Sequence, residues 1–232
     1  MNTYYRVCPI CGTHLDPGEI CDCLKKKASA LIPVSWRTFS TGDHRLDAAL
    51  GINGLPKGKI VEIYGRDYTG KTTLALQIAR QVDNALYIDA DYGLNPSYAK
   101  GLYLAHVDTL EGALRMVEIA APAFDVVVID TLTALPTASQ AEARMDNSAA
   151  EPQSKVLSRC LPRLLRVLAR TGCTLVVVNQ IREAAGTFYG NPEHSTGGRA
   201  LKCFAAVRLE VGLSGITVRK NKYAPAERRV AA

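Results

Sequence analysis

Three features that mark other classes of protein are missing from this chain of 232 residues. It has no apolar run near the roughly 20 residues that a membrane-spanning helix needs, so no membrane association is expected. Its polar and then cysteine-rich N-terminus does not resemble a signal peptide, so the cytoplasm is the expected compartment. It also lacks internal repeats and low-complexity tracts. The length suits one α/β domain with a full core, plus a small appendage.

Charge is unevenly distributed along the chain. Residues 140–232 hold 15 Lys and Arg against 7 Asp and Glu, whereas residues 1–139 hold 13 against 15. A basic C-terminal half suits a polyanionic partner such as nucleic acid. A solvated surface explains the same imbalance, and charge alone does not decide between the two.

Four of the seven cysteines are concentrated in residues 1–27. Their pattern is C-x2-C-x9-C-x-C, and two close pairs separated by a short loop are typical of a tetrahedral zinc site. The four expected ligands are Cys8, Cys11, Cys21 and Cys23. Disulfides are the alternative, but a cytoplasmic protein would keep its thiols reduced. Pro9 and Gly12 are expected to shape a knuckle around the sulfur atoms.

So small a unit cannot bury a core, so the metal would have to supply its folding energy. His14 is a competing ligand, although a surface histidine is the favoured interpretation. Residues 28–37 are interpreted as a linker that leads into a core spanning residues 38–232. The remaining cysteines, interpreted as small buried hydrophobic residues, are Cys160, Cys173 and Cys203.

Residues 65–73 have the spacing G-x-x-x-x-G-K-[ST] of a phosphate-binding loop. The preceding residues 59–64 favour a buried strand, and residues 74–80 favour a helix. This arrangement lets backbone N–H groups and a helix N-terminus surround a polyphosphate. A glycine turn that fits by chance is the alternative, and the flanking elements argue against it. The expected nucleotide-binding residues are Gly65, Arg66, Asp67, Tyr68, Thr69, Gly70, Lys71, Thr72 and Thr73.

Particular chemistry is expected of some of these residues. Gly65 and Gly70 are expected to adopt backbone angles that a Cβ atom would forbid. Lys71 can place a positive charge on the β- and γ-phosphates, and Thr72 can ligate Mg²⁺.

Acidic residues follow two further apolar segments that favour strands. Residues 85–89 end in Asp89, and Asp91 lies two positions later. Alternation along a strand directs both carboxylates the same way, unless a local bend separates them. Residues 125–130 place four apolar residues before Asp130, which is typical of a carboxylate that holds the water shell of Mg²⁺. Carboxylates at the C-terminal ends of parallel strands face the ligand crevice.

A helix is predicted for residues 154–170, with Pro162 marking a kink or a nearby helix start. Its apolar stripe faces a core, and a second face carries arginines that we interpret as solvated rather than as DNA contacts. These arginines are Arg159, Arg163, Arg166 and Arg170.

Residues 174–180 favour a further buried strand, which ends in the amides Asn179 and Gln180. The following loop, residues 181–198, holds four glycines, a proline and an aromatic pair. Loops of this length in compact domains are usually functional. Two strands, near 205–211 and 215–220, are predicted to close the core.

Residues 38–226 resemble the bacterial RecA recombinase family. The motifs that carry the resemblance are Ser40-Thr-Gly, Gly54-Leu-Pro, the phosphate-binding loop, Asn179-Gln-Ile-Arg, Gly190-Asn-Pro-Glu, Thr196-Gly-Gly, Ala200-Leu-Lys and Lys220-Asn-Lys. The resemblance implies an α/β fold, a P-loop NTPase core with a mostly parallel central sheet flanked by helices. The N-terminal zinc module would be an addition to that core.

The resemblance also implies roles at the nucleotide. ATP would be bound through its phosphates and Mg²⁺ by the loop and Asp130, and Tyr98 would stack on adenine. Asp91 would be the catalytic acid, and Gln180 would sense the γ-phosphate. Lys220 and Lys222 would reach the ATP of a neighbouring subunit.

The same resemblance implies an interface with DNA. The family's two DNA-binding loops match residues of about 143–150 and 181–198, and single-stranded DNA is the implied partner, with duplex DNA as a second one. Cations and stacking surfaces are what sequence-independent binding of single strands requires. The implied DNA-binding residues are Arg182, Phe188, Tyr189, Gly197, Gly198 and Arg199.

Three departures from the family pattern stand out. Asp91 replaces a glutamate, which shortens the side chain by about 1.5 Å and predicts weak hydrolysis. Cys203 replaces a phenylalanine of the subunit interface. The N-terminal polymerisation helix and the C-terminal domain of the family have no counterpart in these residues, so the family's continuous filament is not carried over.

Two functions follow from this sequence. The first is an ATP-dependent, single-stranded-DNA-binding recombinase of RecA type, a DNA-dependent ATPase that acts in homologous recombination and repair. The second is a regulatory or RadA/Sms-like RecA-fold ATPase without strand exchange, since that family also joins a four-cysteine module to such a core. A module that binds nucleotide without hydrolysing it is a third interpretation.

Overall fold

The structure is a computed structural model that describes residues 6–8, 11–15, 21–23, 37–143, 151–183, 193–195 and 198–231. The chain divides into two compact units, Met1–Trp36 and Arg37–Ala232. The finer division into a cysteine module at 1–27, a linker at 28–37 and a core from 38 stays a prediction. Within the described segments, no helix combines the length and the apolar character needed to span a membrane.

The described part of the smaller unit is built on a short antiparallel hairpin. Strand β1 (Arg6–Val7) pairs with strand β2 (His14–Leu15). The buried side chains described here are Cys8, Leu15 and Cys21, which form one small cluster. Two of these three are cysteines, so apolar burial contributes little to the described part of this unit.

The larger unit is built around a nine-stranded sheet, with a separate two-stranded pair beside it. The pair consists of β3 (Thr38–Phe39) and β4 (Leu55–Pro56). The strands of the large sheet are β5 (Ile60–Gly65), β6 (Ala85–Asp89), β7 (Tyr103–Ala105), β8 (Val126–Asp130), β9 (Thr174–Glu183), β10 (Glu193–Ser195), β11 (Val207–Gly212), β12 (Gly215–Asn221) and β13 (Arg228–Ala231).

The strand order is β13-β12-β11-β5-β9-β8-β6-β7, and β10 pairs with the end of β9. The neighbours from β11 to β7 are all parallel, whereas β12, β13 and β10 join as antiparallel strands. This arrangement confirms the expected α/β fold with a mostly parallel central sheet.

Helices connect the parallel strands and cover both faces of the sheet. The described α-helices are α1 (His44–Leu50), α2 (Lys71–Ala79), α3 (Leu110–Ala120), α4 (Ala138–Glu142), α5 (Gln153–Thr171) and α6 (Gly198–Phe204). Short 3-10 helices span Pro96–Ala99 and Leu132–Ala134. Asp43 caps α1 by accepting a hydrogen bond from the Arg45 N–H at 2.8 Å, because the first N–H groups of a helix have no partner within it.

The central strands are buried on both faces, which is why they are continuous apolar runs. In β8, Val127 and Ile129 join the hydrophobic cluster that contains α3 and α5. Val126 and Val128 join the cluster on the opposite face, which contains α1 and α2. Successive side chains of a strand point to opposite faces, so one strand supplies both cores.

The register of the parallel strands brings their carboxyl ends to one edge. Asp89 pairs with Asp130, and Gly65 pairs with Gln180. The phosphate-binding loop, two acidic strand ends and a strand-terminal amide therefore meet, as expected for an open α/β sheet.

The predictions for Pro162 and for two of the later cysteines are wrong. Helix α5 begins at Gln153 and continues through Pro162, so the alternative of a helix start near that proline is wrong. Cys203 is exposed and Cys160 is half-buried, so of the three later cysteines Cys173 alone is fully buried as expected. Cys203 lies in the last turn of α6, where its side chain faces solvent rather than the sheet.

The arginine face of α5 lies at the surface. Arg163 donates to Glu118 of α3 at 2.7 Å, and Arg159 contacts Glu151 at 3.3 Å. These exposed pairs agree with the interpretation of a solvated face, and pairs of this kind contribute little to stability.

Candidate nucleotide site

The phosphate-binding loop connects the end of β5 to the start of α2. Gly70 lies at the N-cap of α2 with φ 91°, and no side chain caps the helix there. Tyr68 also has a positive φ, 59°, and its side chain is fully exposed. Uncapped N–H groups at a helix start, preceded by a loop of this kind, form a site for an anion.

The two glycines of the loop are required for different reasons. The positive φ of Gly70 agrees with the expectation that a Cβ atom would strain the backbone there. Gly65 does not have such an angle, so that expectation is wrong for it. A Cβ atom at Gly65 would instead lie 2.1 Å from the carbonyl oxygen of Val211. Close approach of strand β11, rather than backbone angle, excludes a side chain.

A crevice of about 630 Å³ opens above this loop. Its size is in the usual range for a small-molecule site. It brings together the loop, the acid of β8, the acid after β6 and the end of β9. The lining residues are Asp67, Tyr68, Thr69, Gly70, Lys71, Thr72, Thr73, Asp91, Asp130, Thr131, Val178 and Gln180. Thr131 and Val178 were not expected from the sequence, because only the register of β8 and β9 brings them to this edge.

Lys71 is held by the loop that it follows. Its Nζ donates a hydrogen bond to the carbonyl oxygen of Arg66 at 2.6 Å, and the residue is 8% exposed. Burial lowers the pKa of the Lys71 ammonium, and the charges of Asp67 and Asp130 act against that shift. The ammonium therefore lies inside the crevice, where an anion would relieve the cost of its burial.

Asp130 lies beside Lys71 at the end of β8. Its carboxylate accepts a hydrogen bond from the Tyr87 hydroxyl at 2.5 Å and another from the Thr72 hydroxyl. Burial raises the pKa of the Asp130 carboxyl, and these two hydrogen bonds oppose the rise. The Thr72 and Asp130 oxygens thus meet at the crevice, and oxygen ligands of this kind suit Mg²⁺.

Asp89 and Asp91 face each other, but only Asp91 lines the crevice. Burial, followed by a hydrogen bond with Asp89, raises the pKa of the Asp91 carboxyl. Asp89 is 2% exposed and accepts a hydrogen bond from the Leu94 N–H at 3.1 Å. Asp91 is therefore the acid of this pair that a ligand in the crevice would meet.

A buried polar network lies directly behind Gln180. Asn179 donates through Nδ2 to Glu62 at 3.0 Å, and Arg208 donates through Nε to the same carboxylate at 2.5 Å. Glu62 is completely buried. Sequence reasoning missed Glu62 and Arg208, although one signal was available: Glu62 is the only charged residue in the apolar strand β5.

The other residues expected at the nucleotide lie outside the lining of this crevice. Tyr98 is 60% exposed, and its carbonyl oxygen accepts a hydrogen bond from Arg80 at 2.6 Å. Lys220 on β12 donates to the carbonyl oxygens of Lys202 and Cys203 at 2.6 and 3.0 Å. Lys222 is exposed just beyond β12. Their roles at the adenine ring and at a neighbouring subunit stay predictions.

The residues expected to contact DNA are only partly described. Phe188, Tyr189 and Gly197 lie outside the described residues, as do 144–150 of the first implied loop. Arg182 lies in β9, opposite His194 of β10. Arg199 is exposed on α6. These assignments stay predictions.

Gly198 has a structural reason for being glycine. Its φ is 69°, and a Cβ atom would lie 2.8 Å from the Cβ of Ser154. Close packing against α5 is therefore enough to explain the absence of a side chain at this position.

The four N-terminal cysteines converge in the smaller unit. All four Sγ atoms lie within 4.8 Å of one another, with 3.3 Å between Cys11 and Cys21 and 3.5 Å between Cys8 and Cys23. Four thiolates around one zinc ion would lie about 3.8 Å apart, given Zn–S bonds of about 2.3 Å in a tetrahedron. None of the four cysteines forms a disulfide.

The knuckle geometry supports this convergence. Gly12 has φ 73°, its N–H donates to the Cys8 carbonyl oxygen at 2.9 Å, and the Cys8 N–H donates to the Thr13 carbonyl oxygen at 2.9 Å. Hydrogen bonds with Thr13 lower the pKa of the Cys11 thiol to about 6. His14 is exposed and is not part of the four-sulfur cluster.

The sheet, the strand–loop–helix and the crevice define a P-loop α/β fold. The sequence model of one family, the RecA N-terminal domain, matches residues 24–231. The chain is 43% identical over 198 residues to Protein RecA of Deinococcus radiodurans, a match that covers 80% of this chain and 54% of that protein. It is 41% identical over 213 residues to Protein RecA of Thermus thermophilus, covering 80% and 63%.

This chain belongs to the RecA family. The chain spans only a little more than half the length of these curated relatives. The family likeness therefore applies to the core that carries the crevice.

Proposed function

We propose that this chain is a DNA-dependent ATPase of RecA type, which binds single-stranded DNA when ATP is bound and pairs it with homologous duplex. One observation carries the proposal: Lys71, Thr72, Asp130 and Gln180 meet in one crevice at the carboxyl edge of the sheet. A phosphate-binding loop, a magnesium carboxylate and a strand-end amide are the parts that a γ-phosphate sensor needs.

Binding of ATP would begin at the loop. The uncapped start of α2 would receive the phosphates, and the Lys71 ammonium would exchange the Arg66 carbonyl for a phosphate oxygen. Thr72 and Asp130 would hold Mg²⁺, since both line the crevice and offer oxygen ligands. The ion would neutralise charge between the β- and γ-phosphates.

Hydrolysis would use Asp91, the acid of this pair that lines the crevice. Its carboxylate is the candidate for orienting the attacking water. The side chain of aspartate is shorter than that of the family's glutamate, so we expect slow turnover.

Coupling to DNA would pass through Gln180. This residue is followed by Ile181–Glu183, which pair with Glu193–Ser195 of β10. An amide that moves when the γ-phosphate is present would shift this hairpin and the residues between its arms. Order–disorder switches of this kind are known in other nucleotide-binding proteins. Self-association through the face of Lys220 and Lys222 would bring these cations to a neighbouring subunit's ATP.

We also propose that Cys8, Cys11, Cys21 and Cys23 bind Zn²⁺. The spacing of their sulfur atoms supports the proposal, as does the packing of Leu15 against Cys8 and Cys21. A structural zinc site needs four such ligands with no open position.

The test is release of phosphate from ATP, with and without single-stranded DNA, for the wild type and for Lys71→Ala. We expect slow basal release that DNA stimulates, and no release from the variant. The proposal would be contradicted if DNA stimulated phosphate release equally in the wild type and in Lys71→Ala, or if it did not stimulate the wild type. A strand-pairing assay then separates a recombinase from a regulatory ATPase.

The cysteine cluster favours one alternative, a RadA/Sms-like or regulatory ATPase without strand exchange. Under that alternative, ATP hydrolysis would respond to DNA but homologous strands would not pair. Removal of zinc would then change which partners are bound rather than the rate of hydrolysis.

A further inference from the structure

A charged pair lies in the centre of the sheet, where charge is expensive to bury. Glu62 is completely buried in β5, and the Arg208 side chain from β11 is 14% exposed. Arg208 also lies over the ring of Tyr64, 4.3 Å from its centroid. Apolar residues would fill this space at lower cost, so the pair calls for a role other than stability.

Asn179 is hydrogen-bonded to this pair, and its side-chain amide has a donor nitrogen and an acceptor oxygen. Its Nδ2 donates to Glu62 at 3.0 Å. Its Oδ1 accepts a hydrogen bond from the Gln180 N–H at 2.9 Å and another from the Thr133 hydroxyl at 3.3 Å. Asn179 is completely buried and ends the apolar part of β9, one residue before the crevice.

The carboxylate decides which way this amide points. A buried amide can rotate by 180° about its last bond and exchange its oxygen and nitrogen. Glu62 accepts hydrogen bonds only, so the Nδ2 group must face it and the Oδ1 atom must face Gln180 and Thr133. Arg208 donates to the same carboxylate and so holds it in place.

Thr133 and Gln180 lie on two different segments near the carboxyl edge of the sheet. Thr133 lies in the 3-10 helix that follows Asp130, and Gln180 lines the crevice at the end of β9. One amide oxygen therefore joins the segment after the magnesium carboxylate to the backbone of the nucleotide-sensing residue.

We propose that Asn179, oriented by the buried Glu62–Arg208 pair, is the positioning residue of Gln180. It holds the Gln180 backbone so that the side chain reports the γ-phosphate, and it ties that backbone to the segment after Asp130. The inference rests on the proposed function in one respect, that Gln180 responds to nucleotide.

The variant Asn179→Asp tests this assignment. It keeps the shape of the side chain but replaces the Nδ2 donor with an oxygen opposite the Glu62 carboxylate, so the orientation is lost. Thr133→Val is a milder second variant that removes only the hydroxyl donor and leaves a side chain of the same shape.

Thr174→Val is the matched control. Thr174 lies at the opposite end of β9 and is completely buried; its hydroxyl donates to the Pro56 carbonyl oxygen and accepts from the Gly58 N–H, both at 3.2 Å. The control therefore removes two buried hydrogen bonds of a residue in the same strand, far from the crevice.

The measurement is amide hydrogen exchange at residues 180–183, with a slowly hydrolysed ATP analogue and with ADP, alongside the affinity for each nucleotide. In the wild type we expect slower exchange with the ATP analogue. In Asn179→Asp we expect the ratio of the exchange rates in the ADP and ATP-analogue states to fall at least about fivefold. A loss of this size is typical when the coupling between two sites is removed. Nucleotide affinity should change by less than about threefold. Thr133→Val should reduce this nucleotide-dependent difference in exchange by less than Asn179→Asp does, and Thr174→Val should keep the wild-type difference.

The inference would be overturned if Asn179→Asp kept the wild-type difference in exchange rate between the ATP-analogue and ADP states. It would also be overturned if Thr174→Val lost as much of that difference, or if the wild type showed none. Single-stranded DNA binding is measured in parallel. If the exchange difference behaves as expected but DNA does not bind, the proposed function fails while the positioning role stands.

Discussion

The nucleotide crevice and the cysteine cluster hold their reactive side chains in different ways. In the crevice, Lys71 and Asp130 are buried and already bonded, one to the Arg66 carbonyl and the other to Tyr87 and Thr72. In the cluster, the sulfur atoms contact one another, and the described buried set consists of Cys8 and Cys21 themselves together with Leu15.

This difference follows from what surrounds each site. Strands with apolar cores on both faces position the crevice, so its geometry does not depend on a ligand. The described part of the smaller unit has no comparable core, and a domain of that size usually needs metal or disulfides. The crevice should therefore keep its structure without a ligand, whereas the cysteine cluster should unfold without the zinc ion proposed for it.

The largest effect is expected from zinc. Chelation, or Cys11→Ser, should remove stoichiometric zinc and unfold the smaller unit, because structural zinc supplies about 10 kcal/mol or more to such a unit. Metal analysis and NMR of the cysteine region measure this. Thermal unfolding of the larger unit should change little. If the β1–β2 hairpin stayed folded without metal, the cysteine cluster would depend on a ligand no more than the crevice does, and the prediction would be wrong.

The next effect is expected from Lys71→Ala. Loss of the ammonium should reduce ATP turnover at least about 100-fold, since the charge acts on the transferred phosphoryl group. Unfolding temperature should stay within a few degrees of the wild type, because the hydrogen bond that the described residues show for the Lys71 ammonium is made to its own loop. Phosphate release and calorimetry measure the two quantities. A large loss of stability would show that the lysine holds the crevice together.

A gain is expected from Asp91→Glu. The longer side chain extends the carboxylate by about 1.5 Å towards a water at the γ-phosphate. We expect kcat to rise about tenfold, because small errors in position reduce such rates strongly. KM for ATP should be unchanged. Asp89→Glu is the matched control, since Asp89 does not line the crevice. A fall in kcat for Asp91→Glu would contradict the catalytic assignment.

The smallest effect is expected from Tyr98→Ala. Loss of a stacking surface for adenine should raise KM for ATP about fivefold, a value typical of aromatic pairs, and leave kcat unchanged. Steady-state kinetics measure both constants. Tyr103→Ala, another exposed tyrosine, is the control. Equal KM values for wild type and Tyr98→Ala would mean that adenine binds elsewhere.

Much of the fold could be predicted because local patterns carry it. The apolar runs before Asp89 and Asp130 are strands within one residue of the expected bounds, since strands buried on both faces are apolar throughout. The short edge strands β7 and β13 were not predicted. Each has few residues and partly exposed side chains, so neither shows an apolar run.

Part of the candidate site could also be predicted, because that part depends on a local sequence pattern. A phosphate-binding loop is contiguous, so its residues can be found from spacing alone. Glu62, Asn179 and Arg208 lie on three different strands, and their hydrogen bonds exist only because β11, β5 and β9 are neighbours. No spacing along the chain indicates such a cluster.

The amino-acid sequence by itself therefore determined the nucleotide loop, the acids that follow two strands and the four-cysteine pattern, because each depends on residues close together in the chain. Only the tertiary structure decided that Asp91 rather than Asp89 lines the crevice, that Gly65 is required by the Val211 carbonyl, and that a buried carboxylate orients Asn179. These depend on contacts between distant strands, and the register of a sheet is set by packing on both of its faces.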